Sequence, residues 1–228
     1  MPTFDILRES VPAASFRVDA VRAMFDLQTD SIRERFSGRL DIEDRPWSIG
    51  IIYGASGTGK STIARELFPE QYILGYKYGA GSIIDDMPQN CDVKTIAATF
   101  NAVGFSSPPS WLKSYSVLSN GEKMRADLAR ALLESRDMIV FDEFTSVVNR
   151  EVAKIGSAAV QKAVRRMGRR FIAVSCHDDI IPWLEPDWVY CANDGSFFLS
   201  NAGEGRISNS ASDERKERNG KYSVVITI

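Results

Sequence analysis

The chain has 228 residues, of which 44% are hydrophobic and 25% charged, and this suits a globular α/β domain large enough to bury a core. Its formal net charge of −2 excludes a general attraction to nucleic acid or to an anionic membrane, and its apolar runs fall short of the roughly 20 residues that span a bilayer. The three cysteines form no C-x-x-C pair and are predicted to be reduced thiols, as expected in the cytoplasm.

The first part of the chain gives mixed signals. Residues 1–13 contain two prolines and are predicted to form a loose leader. Residues 15–27 begin like a strand and continue like a helix, and their periodicity leaves both interpretations open. Residues 32–42 alternate weakly between apolar and polar side chains before a turn that ends at Pro46.

A glycine-rich stretch follows a predicted buried strand at 48–53 and precedes a helix that ends before Pro69. It consists of Gly54, Ala55, Ser56, Gly57, Thr58, Gly59, Lys60, Ser61 and Thr62. Strand, loop and helix in this order are typical of a phosphate-binding loop, because glycines let consecutive N–H groups face an anion at a helix N-terminus. Lys60 is predicted to reach the β- and γ-phosphates, and the Ser61 hydroxyl to bind Mg²⁺.

Strands and helices continue to alternate as far as residue 176, which is typical of a mostly parallel sheet with helices on both faces. The predicted elements are strands at 72–74 and 82–84, helices at 92–103 and 120–135, a strand at 138–141, a helix at 152–167 and a strand at 171–175. One or two edge strands are expected between residues 188 and 199.

Two carboxylates end the apolar strand at 138–141. In a parallel sheet this end lies beside the phosphate loop. Asp142 is therefore predicted to hold Mg²⁺, directly or through water, and Glu143 to polarise an attacking water molecule.

A second helix start that could bind phosphate precedes this acidic strand. It consists of Ser119, Asn120, Gly121 and Glu122. A serine cap followed by glycine gathers N–H groups at a helix N-terminus. One nucleotide needs only one phosphate loop, so the second start suggests that two protomers bind the ATP together.

These motifs, with His177 after the next strand, resemble those of the ATP-binding-cassette (ABC) ATPases over about residues 45–180. The resemblance implies a P-loop NTPase fold of ABC type, with a reduced helical subdomain and a small antiparallel N-terminal part. It implies that Lys60, Glu143 and His177 are catalytic, with His177 as the switch histidine at the γ-phosphate. It also implies a homodimer with ATP and Mg²⁺ at its interface.

The chain departs from the family pattern at several positions. Asn149 stands where the family usually has an aspartate, Asn120 replaces a glycine, and Glu122 replaces a glutamine. The family's metal-site glutamine is expected within residues 83–89, with Gln89 as one candidate and Asp85 or Asp86 as alternatives. Phe25 is the first candidate for the aromatic residue that stacks on adenine, and Phe36 is the alternative.

The segment between Lys60 and Ser119 has room for one predicted helix and a Ser/Pro loop, whereas transporter cassettes usually carry a longer insert. This favours the small soluble bacterial and phage ATPases of the family, acting as an ATP-dependent dimerisation switch on an unknown protein or nucleic-acid partner. The alternatives are the nucleotide-binding subunit of an ABC transporter and a module that holds ATP with little turnover. The ATPase domain is predicted to span residues 1–202, followed by a polar linker and a short C-terminal β segment at 203–228.

Overall fold

The computed structural model describes residues 2–27, 31–73, 75–134, 137–200 and 207–209. In chain order the elements are β1 (Thr3–Ser10), α1 (Phe16–Phe25), β2 (Ile32–Arg39), β3 (Ile49–Tyr53), α2 (Lys60–Leu67), β4 (Tyr72–Ile73), α3 (Val93–Ala102), α4 (Pro108–Trp111), a 3₁₀ turn (Tyr115–Val117), α5 (Asn120–Glu134), β5 (Met138–Phe141), α6 (Arg150–Arg166), β6 (Arg170–Ser175), α7 (Ile181–Leu184), β7 (Trp188–Cys191), β8 (Phe197–Ser200) and β9 (Ile207–Asn209).

The main sheet has seven strands in the order β4-β5-β6-β3-β7-β8-β9. The strands from β4 to β7 in that order run parallel, and β8 and β9 add antiparallel pairs at one edge. The parallel strands are mostly apolar because both of their faces are covered. Parallel pairing brings the carboxyl ends of β5, β6 and β3 to the same edge, side by side.

Each face of the sheet carries its own hydrophobic cluster. Ile51 packs with side chains of α3, α5 and α6 on one face, and its neighbour Ile52 packs with α2 and β1 on the other. Successive side chains of a strand point to opposite faces, so one apolar run supplies both clusters. The predicted α/β fold, with a mostly parallel sheet and helices on both faces, is confirmed.

The N-terminal part is an antiparallel ribbon of β1 and β2, paired from Thr3 opposite Arg39 to Ser10 opposite Ile32. Phe4 is buried and packs edge-on against Tyr190 of β7. The leader predicted for residues 1–13 is therefore wrong, because this segment gains its structure from a pairing partner distant in the sequence. The small antiparallel part is confirmed.

The connection between the two strands of the ribbon is helix α1. The Ser15 side chain caps it by accepting a hydrogen bond from the backbone N–H of Val18 at 3.3 Å, which resolves residues 15–27 in favour of the helix. No residue of α1 is buried, and Phe16, Met24 and Phe25 are exposed. Its tertiary packing is therefore slight.

The strand predicted at 82–84 is wrong. The backbone N–H groups of Ile83 and Ile84 donate to the carbonyls of Lys113 and Trp111, so this segment turns against the helical subdomain instead of joining a sheet. Between Lys60 and Ser119 the chain forms α2, β4, α3, the one-turn α4 and the 3₁₀ turn.

At the other end of the chain, β9 lies inside the stretch predicted as a linker, and the predicted β segment at 222–228 lies outside the described residues. Each helix in the described part of the chain is too short or too polar to cross a membrane.

Candidate active site

The phosphate loop connects the buried strand β3 to helix α2. Gly57 and Gly59 adopt φ values of 84° and 82°, in the left-handed region that favours glycine. At Gly59 a Cβ atom would lie 2.5 Å from the ring of Phe36, so both the backbone angle and the close approach require glycine there. The loop is consequently held in shape by its backbone and by β2.

Lys60 is 9% exposed and its Nζ donates to the Ala55 carbonyl at 2.7 Å, across the mouth of the loop. The Thr58 hydroxyl donates to the same carbonyl at 2.9 Å, and the Asn193 side chain accepts a hydrogen bond from the Ala55 N–H at 2.8 Å. The lysine ammonium therefore lies inside the loop, where a phosphate group could exchange for the carbonyl as its partner.

Asp142 and Ser61 lie together at the carboxyl ends of β5 and the phosphate loop. The Ser61 hydroxyl donates to Asp142 Oδ1 at 3.1 Å, and the Glu143 N–H donates to the same oxygen at 2.9 Å. Tyr72 donates its phenol hydrogen to the other oxygen, Oδ2. A hydroxyl and a carboxylate beside a phosphate site are the oxygen ligands that Mg²⁺ prefers, so the residues present fit a magnesium ion.

Glu143 follows directly and has a backbone φ of 51°, a strained value for a residue other than glycine. Phe144 fixes this turn, because its side chain is fully buried and its N–H donates to the Val174 carbonyl at 2.9 Å. The Glu143 side chain stays exposed at the sheet edge. His177 is half-buried just past β6, the strand between β5 and β3, and its N–H donates to the Ser175 hydroxyl at 3.1 Å.

The start of α5 is built differently. The Glu122 carboxylate accepts hydrogen bonds from the Ser119 N–H at 2.9 Å and the Ser119 hydroxyl at 2.8 Å. Hydrogen bonds from the Ser110 hydroxyl and from Ser119 lower the pKa of Glu122 to about 2. Among the described residues, no hydrogen bond connects 119–122 with the phosphate loop or with Asp142 and Glu143. The chain thus brings Lys60, Ser61, Asp142, Glu143 and His177 together and leaves the second helix start apart.

The sequence is similar to those of known ATP-binding-cassette proteins. The chain is 28% identical over 165 residues to an aliphatic sulfonates import ATP-binding protein of Paracoccus denitrificans, a match that covers 63% of this chain and 66% of that protein. It is 43% identical over 60 residues to an ABC-type transporter of Aureobasidium melanogenum, covering 26% of this chain and 4% of the transporter. No protein-family model matches the sequence.

Solved structures with a similar fold include ATP-binding cassettes. A dimeric ATP-binding cassette bound to ADP and phosphate superimposes with a TM-score of 0.55 at 13% identity, covering 69% of this chain and 87% of that one. A putative metal-chelate type ABC transporter gives a TM-score of 0.56 at 13% identity, covering 76% and 77%.

The homologues and structural neighbours of this chain are ABC ATP-binding cassette ATPases. The matched region is just under two thirds of the bacterial import protein and a small fraction of the fungal transporter, so the chain spans only part of the length of these relatives.

Two predicted site residues, Phe25 and Gln89, do not contact the phosphate loop in the described hydrogen bonds and ring packing. Phe25 is 65% exposed on α1, whereas its alternative, Phe36, lies against Gly59. The Gln89 side chain donates to the Asp85 carbonyl at 3.2 Å within its own turn, and the Asp86 carboxylate accepts from the Gly79 N–H at 3.0 Å.

The turn after Glu143 is tied to the segment that carries His177. Asn149 caps α6 by accepting a hydrogen bond from the Val152 N–H at 2.9 Å. Arg150 forms a bidentate ion pair with Asp179, with one contact of 2.7 Å from Nε to Oδ2, and its guanidinium lies 5.3 Å from the centre of the Trp183 ring. The Arg150–Asp179 ion pair therefore holds the segments that carry Asn149 and His177 against each other.

Sequence reasoning missed three side chains at the site: Tyr72, Asn193 and Arg150. The Asn-Asp-Gly turn at 193–195 signals a hairpin, but nothing in the sequence says that this hairpin touches the phosphate loop. Tyr72 reaches Asp142 only because β4 pairs with β5 in one particular register. A basic residue at the start of a helix gives no indication of its partner, so Arg150 could not be assigned to Asp179.

Proposed function

We propose that this chain binds and hydrolyses ATP and acts as a dimerisation switch, with two copies closing head-to-tail over two nucleotides. The more general assignment, an ATP-binding cassette that hydrolyses ATP, is supported by the similarity to ABC ATPases. The more specific proposal, a dimerisation switch, rests on a single observation. Lys60, Asp142, Glu143 and His177 lie at the carboxyl ends of the parallel strands, while Ser119–Glu122 starts a separate helix. A site divided in this way is completed most simply by a second chain.

The residues have distinct chemical roles in this proposal. Lys60 gives up the Ala55 carbonyl and binds the β- and γ-phosphates. Glu143 accepts a proton from the attacking water, because its carboxylate is exposed next to the phosphate site. His177 donates a hydrogen bond to the γ-phosphate and so distinguishes ATP from ADP.

A magnesium ion held by Ser61 and Asp142 would neutralise negative charge on the phosphates. Ser61 and Asp142 are the proposed holders because their oxygens already lie 3.1 Å apart. For adenine stacking we favour Phe36, since it touches the phosphate loop and Phe25 does not. Gln89 remains the proposed metal-site glutamine only if its turn, now bonded to Asp85, moves when nucleotide binds.

The test of the switch is Glu143→Gln with ATP and Mg²⁺. We expect turnover to fall by at least about 100-fold, because the proton acceptor is lost, while ATP still binds. The stalled variant should then form a dimer with ATP but not with ADP, as measured by size-exclusion chromatography with light scattering. Unchanged turnover together with the absence of an ATP-dependent dimer contradicts the proposal.

The matched control is Glu70→Gln, which makes the same chemical change at an exposed turn after α2. We expect this variant to hydrolyse ATP at the wild-type rate and to show no stable dimer. A loss of turnover in both variants would assign the effect to net charge or folding instead of to Glu143.

A second candidate function is the nucleotide-binding subunit of an ABC transporter. It is favoured by the similarity to the bacterial import ATP-binding protein, whereas the short segment between Lys60 and Ser119 favours a switch acting elsewhere in the cytoplasm. Purifying the tagged protein separately from detergent-solubilised membranes and from nuclease-treated soluble extract distinguishes the two. A stoichiometric membrane subunit in the first fraction supports the transporter, and a soluble partner in the second supports the switch.

A further inference from the structure

Tyr72 is positioned by the sheet to reach the proposed metal site. It lies in β4 directly opposite Val140 of β5, and the two strands run parallel. Asp142 follows Val140 by two residues and lies directly past the end of β5, in the direction in which both strands run. The Tyr72 ring packs on the cluster that contains Val140 and Ile63, and its hydroxyl extends to the carboxylate of Asp142.

The carboxylate of Asp142 is fixed from both sides. Its Oδ1 accepts the Ser61 hydroxyl at 3.1 Å and the Glu143 N–H at 2.9 Å, and its Oδ2 accepts the Tyr72 hydroxyl. Within the described part of the chain, Tyr72 is the donor to Oδ2. Without it, Oδ2 would lose its donor among the described residues, and only the two contacts to Oδ1 would limit the rotation of the carboxylate about its Cβ–Cγ bond.

The phenol is itself held in place. The Arg65 guanidinium, from helix α2, lies over its ring at 5.1 Å from the centroid. A phenol carries its proton at neutral pH, so the Tyr72 hydroxyl is the donor to the Asp142 carboxylate. The donor therefore approaches Asp142 from a rigid support made by the strand, the apolar cluster and α2.

We propose that Tyr72 is a positioning residue for the metal-binding carboxylate, and that its hydroxyl sets the affinity of the site for Mg²⁺ by holding Asp142 in one orientation. Groups that orient a metal ligand typically change metal affinity by about 10- to 100-fold when they are removed. This inference rests on the proposed function, because it requires that Asp142 serve a magnesium-dependent nucleotide site.

The experiment compares wild type and Tyr72→Phe, which keeps the ring and its packing and removes only the hydroxyl. Binding of a fluorescent ATP analogue is measured while Mg²⁺ is titrated, and binding is also measured in EDTA. We expect the Mg²⁺ midpoint to rise about tenfold in the variant. Binding in EDTA should stay within about twofold of wild type, because the hydrogen bonds of the described residues connect the Tyr72 hydroxyl to the loop only through Asp142.

Tyr190→Phe is the matched control. Tyr190 is a buried tyrosine of the same apolar cluster, and it packs on Phe4 instead of approaching Asp142. Its loss of a hydroxyl should leave the Mg²⁺ midpoint unchanged.

Two further variants, Asp142→Asn and Tyr72→Phe/Asp142→Asn, show whether Tyr72 acts by positioning Asp142 or affects Mg²⁺ binding independently of it. If Tyr72 acts through Asp142, its removal should cause no further shift of the midpoint once the carboxylate is an amide. Equal additional shifts in both backgrounds would overturn the assignment.

The outcomes separate this inference from the proposed function. If Tyr72→Phe has the same Mg²⁺ midpoint as wild type, the proposed role of Tyr72 is wrong and the proposed magnesium site still stands. A lower unfolding temperature of the variant would not change that conclusion. Nucleotide binding by wild type that does not respond to Mg²⁺ overturns both the magnesium site and its positioning residue.

Discussion

The phosphate loop and the start of α5 are both helix N-termini next to a glycine, yet the chain treats them in opposite ways. The phosphate loop follows a buried strand, and its interior holds a cation, Lys60, which is 9% exposed. The start of α5 is exposed at Ser119, and its N–H and hydroxyl already bind an anion, the Glu122 carboxylate. One helix start carries a positive group for phosphate, and the other is satisfied by a negative group of its own.

Because their present hydrogen-bond partners differ, the phosphate loop and the start of α5 must undergo different changes before they bind phosphate. The loop needs only to exchange the bond between Lys60 and the Ala55 carbonyl for one to phosphate. At α5, the γ-phosphate of an ATP bound to the other chain must displace or approach the Glu122 carboxylate, which its hydrogen bonds keep ionised. Nucleotide binding by one chain should therefore be separable from closure of the dimer.

The largest effect is expected from Lys60→Ala. Loss of a charged donor buried in the loop should weaken ATP binding about 100-fold, the upper range for a hydrogen bond to a charged group. Isothermal titration calorimetry of the monomer measures this directly, with Lys94→Ala, an exposed lysine of α3, as the control that should bind normally. Wild-type affinity in Lys60→Ala would show that the loop does not bind phosphate through this side chain.

An intermediate effect is expected from Ser119→Ala. ATP binding by the single chain should be unchanged, while ATP-dependent dimerisation in the Glu143→Gln background should weaken about tenfold, because one donor to the phosphate is lost. Losing the cap should also lower the free energy of unfolding by about 1 kcal/mol.

Ser15→Ala removes a matching cap from α1 and serves as the control. It should lower the free energy of unfolding without changing the dimerisation measured by analytical ultracentrifugation. Equal weakening of the dimer in both variants would assign the effect of Ser119 to helix stability alone.

The smallest effect is expected from Glu122→Gln, measured as the melting temperature against pH. The pKa of Glu122 is lowered in the folded protein from its ordinary value of 4.5 to about 2, so its charge stabilises the fold above about pH 4.5, and this contribution is lost as pH falls towards 2. Glutamine keeps the capping geometry but removes the charge. Wild type should therefore melt about 2 °C above the variant at pH 7, and the gap should close between about pH 5 and pH 2.

Glu70→Gln, at an exposed turn, reports the effect of losing one negative charge from the surface. A gap between wild type and Glu122→Gln that is as large at pH 2.5 as at pH 7 would contradict the lowered pKa.

Much of the fold and of the phosphate site could be predicted because local sequence determines them. The glycines at 57 and 59 need backbone angles that other residues avoid, and an apolar strand that ends in Asp142 and Glu143 delivers both to the sheet edge. The order of these motifs along the chain then predicted the parallel sheet and the resemblance to the ABC ATPases.

Contacts between distant segments could not be predicted. Phe4 and Ile6 give too short an alternation to indicate a strand, and β1 forms because β2 pairs with it. Ile83 and Ile84 are apolar enough for a strand, but the carbonyls of Lys113 and Trp111 capture their N–H groups. The single-chain geometry also leaves the partnership between the loop and Ser119 as a prediction, because it depends on a second copy.

The ribbon of β1 and β2 has a consequence for how this protein can change over evolutionary time. Because Ser10 and Ile32 face each other in the ladder, the strands meet there without help from α1, whose residues are all solvent-accessible. Insertions, deletions and wholesale replacement are tolerated best at such surface connections. Changes in α1 should therefore leave the sheet and the position of Lys60 and Asp142 unaltered.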